Sequence, residues 1–586
     1  MTSRGTGLAV LSLLGAAAAA AATPGPAAPV AVYITWAAHD ELSDTVRLDE
    51  RLALRELDAV ARLKAQGAQI DYFLLDMGWF DRDGGYRNFR RADWPRGAEP
   101  FLAACRARGV KPGLWFSTNV CGWSNPPWIT PLPEWRDARG GYSDLAMSLY
   151  TGAFLAYQIE TMQRWYDRGI RVFKFDFAEL GAAPPVEIAR LGPAEVERRN
   201  AAAWRDALEK FRARNPEVLI LAYNGYGGDT SDTSPQFVRN VDPRWLDAFD
   251  SLYTGDPKPA DLPAANFWRS LDIYSDAMVF QYAAGGIPLA RIDSSGFMIG
   301  NTGTIYRRGK AAWKGTLILS AARGGHVNTY YGDVALLDDA DGAWFGKVQR
   351  LYFPFQARDQ VTTFGAFPGT GRPYGFAATA ADGAVYTVVN PGVLAAAESL
   401  PLPADRPTRL LFTDAGAAPL LTRSGIVLGP GQLAVVGTGR YADPAWDLGV
   451  QEDVTIPASS VPLELQGLVV RPTSAAATVA VPPGRSLRII ASQRGAEGRP
   501  WRVNGGAPPA GTPMARLLIL RAQQDGRPLT LNTPYDRQIW SGLSWAVAEV
   551  PAGEFQPNRP ISISYEIRDP KGATGTLSLA ALAVAP

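Results

Sequence analysis

The chain is poor in the residues on which many hydrolases and metal enzymes rely, with only two histidines, His39 and His326, and two cysteines, Cys105 and Cys121, among 586 residues. Two histidines leave no room for a histidine-rich zinc site and almost none for a Ser-His-Asp triad. Acid–base work must fall to carboxylates, and no metal or cofactor is expected. An excess of one charge is missing too. The 58 basic residues against 57 acidic give a formal net charge of +1, so no field draws nucleic acid or an anionic surface, and a neutral partner is expected. No glycine-rich phosphate fingerprint opens a helix; Gly225-Tyr226-Gly227-Gly228 follows a strand but lacks the spacing and reads as a tight loop. Beyond the N-terminal leader no apolar run is long enough to span a bilayer, so no stable membrane insertion is expected. Cys105 falls within a predicted helix and Cys121 just past the next strand, leaving open a disulfide or two buried thiols.

What is present begins with that leader. Arg4, the apolar stretch Leu8 to Leu14, an alanine run to Ala22 and Pro24-Gly25-Pro26 match a secretory signal over residues 1–28, implying a secreted or periplasmic protein. The length exceeds one ordinary core, and a 47% hydrophobic content is that of a globular chain. From Val30 to Tyr330 strand and helix signals alternate. Strands are expected at Val32–Trp36, Ile70–Asp76, Lys111–Phe116, around Lys174, at Val218–Tyr223, and more faintly at Ser251–Thr254, Leu289–Ile292 and His326–Tyr330. Eight such units predict an α/β fold, a (β/α)₈ TIM barrel over 29–352, followed by C-terminal antiparallel β-sandwich domains. The first is placed at 353–440 and an additional β-rich module at 446–586. In that module Trp501, Trp540 and Trp545 fit a carbohydrate-binding face or the core of a sandwich.

Reactive residues of such a barrel sit where strands end. Here those ends carry Trp36, Asp76, Trp79, Trp115, Lys174, Asp176, Tyr223, Asn224 and Asp256. Lys174-Phe175-Asp176 is the most informative of them. Positions 174 and 176 share one face of a strand, which points an ammonium and a carboxylate into one pocket and favours the ionised, nucleophilic carboxylate. A structural ion pair is the plain alternative. Asp256, in Tyr253-Thr254-Gly255-Asp256-Pro257, comes about two βα units later and can face the same pocket, although an Asp before Pro is ordinarily a turn residue. Two carboxyl groups about 5–5.5 Å apart fit a retaining glycosidase, in which one attacks the anomeric carbon and the other serves as acid and then base. Aromatic rings beside charged groups suit a sugar, whose C–H faces stack and whose hydroxyls need polar partners.

At these residues the chain resembles the clan of retaining α-glycosidases that holds glycoside hydrolase families 27, 31 and 36, and most closely the family 36 α-galactosidases. Leu75-Asp76-Met77-Gly78-Trp79-Phe80 is similar to that family's Asp-Asp-Gly-Trp segment, Gly113-Leu114-Trp115-Phe116 to its Gly-Leu-Trp-Phe strand, and Lys174-Phe175-Asp176 to its Lys-Trp-Asp nucleophile strand. Asn224 to Gly228 stands where the family has Cys-Ser-Gly-Gly-Gly, and Tyr253-Thr254-Gly255-Asp256 where it has Trp-Thr-Ser-Asp; Gly300 to Thr304 resembles a later loop. The resemblance implies Asp176 as nucleophile, Asp256 as acid/base, and sugar contacts from Trp36, Asp76, Trp79, Trp115, Lys174, Asn224 and Tyr253, with an oligosaccharide or polysaccharide as substrate.

Departures bear on the sugar. Met77 replaces the second acidic residue that in the family holds an axial galactose hydroxyl, and Ser117, Asn224 and Tyr253 replace a glutamate, a cysteine and a tryptophan. Asp176-Phe177-Ala178-Glu179 also resembles the family 31 nucleophile strand. The alternatives to an α-galactosidase are therefore an α-glucosidase or other α-glycosidase of the clan, or a non-catalytic carbohydrate-binding protein. A metal-dependent barrel lyase or isomerase is disfavoured, because Ser117-Thr118-Asn119 and Tyr223-Asn224 stand where successive carboxylates would be needed. The oligomeric state is not encoded in any pattern found.

Overall fold

The computed structural model describes residues 28–39, 46–122, 126–141, 144–226, 242–255, 275–301, 309–494, 518–532, 545–567 and 576–585. The leader, Asp256, Trp501 and Trp540 lie outside the described residues.

Eight strands build the barrel: β1 (Val30–Ile34), β2 (Tyr72–Leu75), β3 (Lys111–Ser117), β4 (Val172–Asp176), β5 (Leu219–Ala222), β6 (Ser251–Leu252), β7 (Asp293–Ile299) and β8 (Val327–Gly332). They form one parallel sheet in the order β6-β5-β4-β3-β2-β1-β8-β7. A parallel bridge from Leu252 to Ile292 brings the two outer strands together, so the sheet closes on itself. The expected (β/α)₈ fold is the observed one.

The seventh strand departs from its expected place. Leu289–Arg291 is a 3₁₀ turn after Pro288, and pairing starts only at Asp293. The run Asp293-Ser294-Ser295-Gly296 carries no apolar signature although every residue of β7 is buried.

Helix α1 (Glu50–Ala65) starts at Asp49, whose carboxylate accepts the Leu52 N–H at 2.7 Å, and it buries Leu52, Leu57, Val60 and Leu63. Helix α2 (Pro193–Arg214) places Trp204, Leu208 and Phe211 on one stripe. Phe173 and Phe175 of β4 turn outward onto that stripe, with ring centroids 5.9 Å from Phe211 and 4.9 Å from Trp204 respectively. Alternation along β4 then turns Lys174 and Asp176 to the barrel interior.

After the barrel, a six-stranded sheet and a three-stranded sheet occupy residues 361–456. The hydrophobic cluster runs unbroken from the barrel into residues such as Tyr374, Val385 and Leu433. Polar ties reinforce it: Arg323, fully buried, pairs with Asp276 at 2.8 Å, and the Tyr374 hydroxyl donates to the other Asp276 oxygen at 2.6 Å. Gly449–Ile456 pairs in parallel with Thr408–Gly416. That strand, drawn in the last module from the sequence, is thus held by the earlier sheet, and the last module's own sheets run from Ser459 to Ala585. These are a four-stranded and a five-stranded antiparallel sheet around a separate core that includes Leu487, Ile489, Val547, Ile561 and Tyr565. Cys105 and Cys121 are two buried free thiols, and burial pushes both upward, Cys121 to about 12. Among the described residues no helix is long and apolar enough to cross a membrane.

Candidate active site

The C-terminal end of β4 is shaped by one residue in an unusual conformation. Phe177 has φ 50°, in the left-handed region that costs a non-glycine residue about 1–2 kcal/mol. Its N–H lies 3.0 Å from Oδ1 of Asp176 and donates to it. The neighbouring turn supplies more donors. At Gly225, with φ 104°, a side chain would meet the Ala178 carbonyl oxygen at 2.4 Å, so only glycine lets the loops after β4 and β5 approach so closely. Ala178 N donates to Asn224 O at 2.9 Å. That contact delivers Asn224, whose backbone N–H and side-chain amide donate to Asp176 Oδ1 at 3.2 and 2.5 Å. Oδ2 receives the Trp115 indole N–H at 3.2 Å.

Lys174 is one turn of the pleat below. Its ammonium donates to Asp76 Oδ2 at 2.8 Å and lies 4.1 Å from the centre of the Tyr223 ring. Asp76 in turn accepts the Met77 N–H through Oδ1 at 2.8 Å. All three charged groups are buried: Asp76, Lys174 and Asp176 expose 1%, 4% and 6% of their surface. The balance at Asp176 differs from the sequence expectation. Burial raises its carboxyl above the ordinary value, Lys174 pulls it down, Asp76 pushes it up again, and the bonds from Trp115 and Asn224 lower it; the net direction is upward. Lysine therefore moderates the cost of this buried carboxylate and does not abolish it.

The sequence placed the remaining candidates with mixed success. Trp79 is corrected: it is fully buried, its indole N–H is spent on the Trp115 carbonyl at 2.9 Å, and its ring packs among Phe80, Phe89 and Trp165. Gly78, with φ 108°, turns the chain so that Trp79 enters the aromatic core beneath the hairpin of Phe80–Asp81 and Gly85–Phe89 and presents no face to a ligand. Trp115 is equally buried and serves the carboxylate. Tyr253 is buried and stacks on Tyr223 at 4.6 Å. Trp36, partly buried past β1, meets His39 edge to face at 6.4 Å. Asp256 falls outside the described residues. Both histidines bind carbonyls: His39 lies 2.8 and 2.9 Å from Thr35 O and Met77 O, and His326 2.6 Å from Gln356 O.

One group escaped sequence reasoning. Asp293, the first residue of β7, accepts the Tyr223 hydroxyl through Oδ2 at 2.6 Å and the Thr329 hydroxyl through Oδ1 at 2.7 Å, with Ser295 at 3.3 Å. The Tyr331 hydroxyl also hydrogen-bonds Tyr223. Asp293 thus anchors the ring on which Lys174 rests. A strand start drawn four residues later would have revealed it at an inward position. Burial raises Asp293 to about 6, opposed by its hydroxyl donors and by Lys174. The native state then holds more protons than the unfolded chain between the ordinary value of 3.8 and about 6, so this group's stabilising contribution is full below 3.8 and is lost as pH rises through about 6. The interval corresponds to ~3 kcal/mol at most. Melting curves from pH 4 to 7 should show the wild type losing more stability than Asp293→Asn over that range. Parallel curves would contradict the assignment.

Among the described residues no group of histidine, cysteine and acidic side chains is arranged to hold a metal ion. No protein-family model matches the sequence, and no curated protein matches it. Solved structures do resemble it. The GH36 alpha-galactosidase AgaA from Geobacillus stearothermophilus in complex with stachyose aligns over 70% of this chain and 55% of its own, with 16% identity and a TM-score of 0.46. The galactosidase domain of the alpha-galactosidase-sucrose kinase AgaSK aligns over 70% and 54%, at 14% identity and TM-score 0.45. Alpha-galactosidase I from Mortierella vinacea aligns over 70% and 97%, at 14% identity and TM-score 0.42. The chain spans little more than half the length of AgaA.

Proposed function

We propose that the chain is a retaining α-glycosidase, an α-galactosidase by first preference, acting on terminal α-linked sugars of an oligosaccharide or polysaccharide. The observation that carries the reading is the asymmetric holding of Asp176. Oδ1 takes three donors from Phe177 and Asn224, which fix the group, while Oδ2 has the single indole bond among the described residues. Oδ2 is the oxygen left to attack. It bonds to the anomeric carbon as the bond to the leaving oxygen breaks, and that oxygen takes a proton from Asp256, the acid/base of the resembling motif. Water, giving its proton back to Asp256, then cleaves the glycosyl ester and releases the sugar with its anomeric configuration retained. The buried Asp76–Lys174 pair is suited to gripping sugar hydroxyls from the barrel floor. Export by the N-terminal leader belongs to the same proposal.

One observation favours a second sugar. Met77 packs its side chain on the core where the resembling family has another carboxylate, which removes a partner for an axial hydroxyl and leaves the α-glucoside as the competing substrate. A panel of 4-nitrophenyl α-glycosides decides. Release from the galactoside alone supports the first preference, release from the glucoside moves the assignment, and no release from any sugar overturns the hydrolase in favour of a binding protein.

Asp256→Ala separates the two roles. A 4-nitrophenolate leaving group needs little protonation, so the first step should survive with it, whereas an unactivated oligosaccharide should lose about 10²–10⁴-fold. Equal losses on both substrates would remove Asp256 from the acid/base role.

A further inference from the structure

The loop that follows the nucleophile strand is held by side chains and not by a sheet or a helix. Residues 177–184, between β4 and the helix Pro185–Leu191, form no regular structure, yet Ala182 and Ala183 within them are fully buried. Buried backbone groups of such a segment need partners from elsewhere. Two fully buried asparagines supply them. Asn200 of α2 donates its amide to Leu180 O at 2.7 Å and to Ala182 O at 2.8 Å, while its oxygen accepts the Leu149 N–H at 2.6 Å. Asn119, just past β3, meets the same loop closer to Asp176. Its Nδ2 donates to Glu179 O at 2.9 Å and to Met147 O at 2.6 Å, and its Oδ1 accepts the Glu179 N–H at 2.8 Å. One side-chain amide thus closes on both the N–H and the carbonyl of a single residue and fixes the main chain there.

The place of Glu179 matters because of Phe177, two residues before it. A bulky side chain keeps a φ of 50° only where the surrounding structure imposes it. The imposing contacts lie on both sides. Before it, the Thr118 N–H donates to Asp176 O at 2.6 Å; after it, Ala178 N bonds Asn224 O at 2.9 Å and Glu179 is gripped by Asn119. With both ends fixed, the Phe177 N–H is aimed at Asp176 Oδ1, 3.0 Å away. We infer that Asn119 is a positioning residue for the nucleophile: by holding Glu179 it keeps Phe177 in the left-handed conformation from which its N–H reaches Asp176. Asn119 acts through the main chain of 177–179 and has no hydrogen bond to Asp176 among the described residues. The inference rests on the reading of Asp176 as nucleophile and adds to it a residue that supports the reactive group from outside the reacting atoms.

Asn119→Ala in the full-length protein tests it. On a glycoside that the wild type cleaves, kcat should fall about tenfold or more while KM stays within about twofold, because a badly placed nucleophile slows the covalent step more than it weakens binding. The acid limb of kcat/KM should move to higher pH, since a carboxylate that loses a donor is harder to ionise; the charges that face Asp176, Lys174 and Asp76, are the same in the variant. A loss of packing alone would not move that limb. In a Phe177→Gly background, where positive φ carries no penalty, the same Asn119→Ala change should cost less than about threefold. Phe177→Val puts a β-branched residue at this φ and should reproduce the Asn119→Ala profile with the asparagine intact, which keeps the test open if Asn119→Ala does not fold. Crystal structures of the two variants should show residue 177 at negative φ with its N–H turned from Asp176. An unchanged acid limb in both variants, equal Asn119→Ala losses in the wild-type and Phe177→Gly backgrounds, or positive φ at 177 in the variant crystals would overturn the proposal. If the wild type cleaves no glycoside the catalytic reading fails by itself, and the φ of residue 177 in those crystals still decides what Asn119 holds in place.

Discussion

Asp176→Ala is expected to lower kcat/KM by at least about 10⁴-fold on any glycoside that the wild type cleaves, because removing a nucleophile abolishes the covalent route and leaves only binding and residual electrostatics. Burial makes the prediction sharper than a generic loss of activity. The wild-type carboxylate is raised by its surroundings, so replacing it with a methyl group removes a buried acid whose charged form the site penalises. The variant should accordingly fold, and its melting temperature should stay close to the wild type or rise. The wild type itself should show an acid limb of kcat/KM displaced above the range of an exposed aspartate. Near-normal turnover by a well-folded Asp176→Ala protein would end the nucleophile assignment, whatever became of the fold.

How much of this was legible in the chain depended on which face of each strand carries the information. Strands β2 and β5 were found from Ile70–Asp76 and Val218–Tyr223 because a parallel strand buried on both faces is a continuous apolar run. Strand β7 was misplaced for the opposite reason. Its inward positions are Asp293 and Ser295, its Gly296 gives way to the Tyr330 ring, which a side chain there would meet at 2.5 Å, and no hydrophobic period survives. The Lys174–Asp176 pair was readable because alternation is a local property. What each charge touches was not: Asp76 comes from β2, and Asp293, which fixes Tyr223 beneath the lysine, comes from the opposite side of the ring. Trp79 shows the limit from the other direction. A position just past a strand end was enough to nominate it, but the positive φ of Gly78 decides the side on which the ring emerges, and it emerges into the core.

Lys174→Met should produce the largest combined effect on stability and activity. Methionine matches the aliphatic stem of lysine and keeps the packing, so the change isolates the ammonium. Without it the Asp76 carboxylate, 1% exposed, keeps only the Met77 N–H among its described partners besides the lysine. Removing one member of a buried pair costs about 3–5 kcal/mol, because the survivor is an uncompensated charge. The loss should be read by denaturant titration at pH 7.5. Activity changes with a separate signature. Lys174 is the main charge that lowers Asp176, so its removal should move the acid limb of kcat/KM to still higher pH in addition to raising KM. The double variant Lys174→Met/Asp76→Asn supplies the control: it removes both charges, should regain most of the lost stability, and should not regain activity. Strict additivity of the two single losses would mean that the 2.8 Å contact does not couple them, and the barrel floor would need another description.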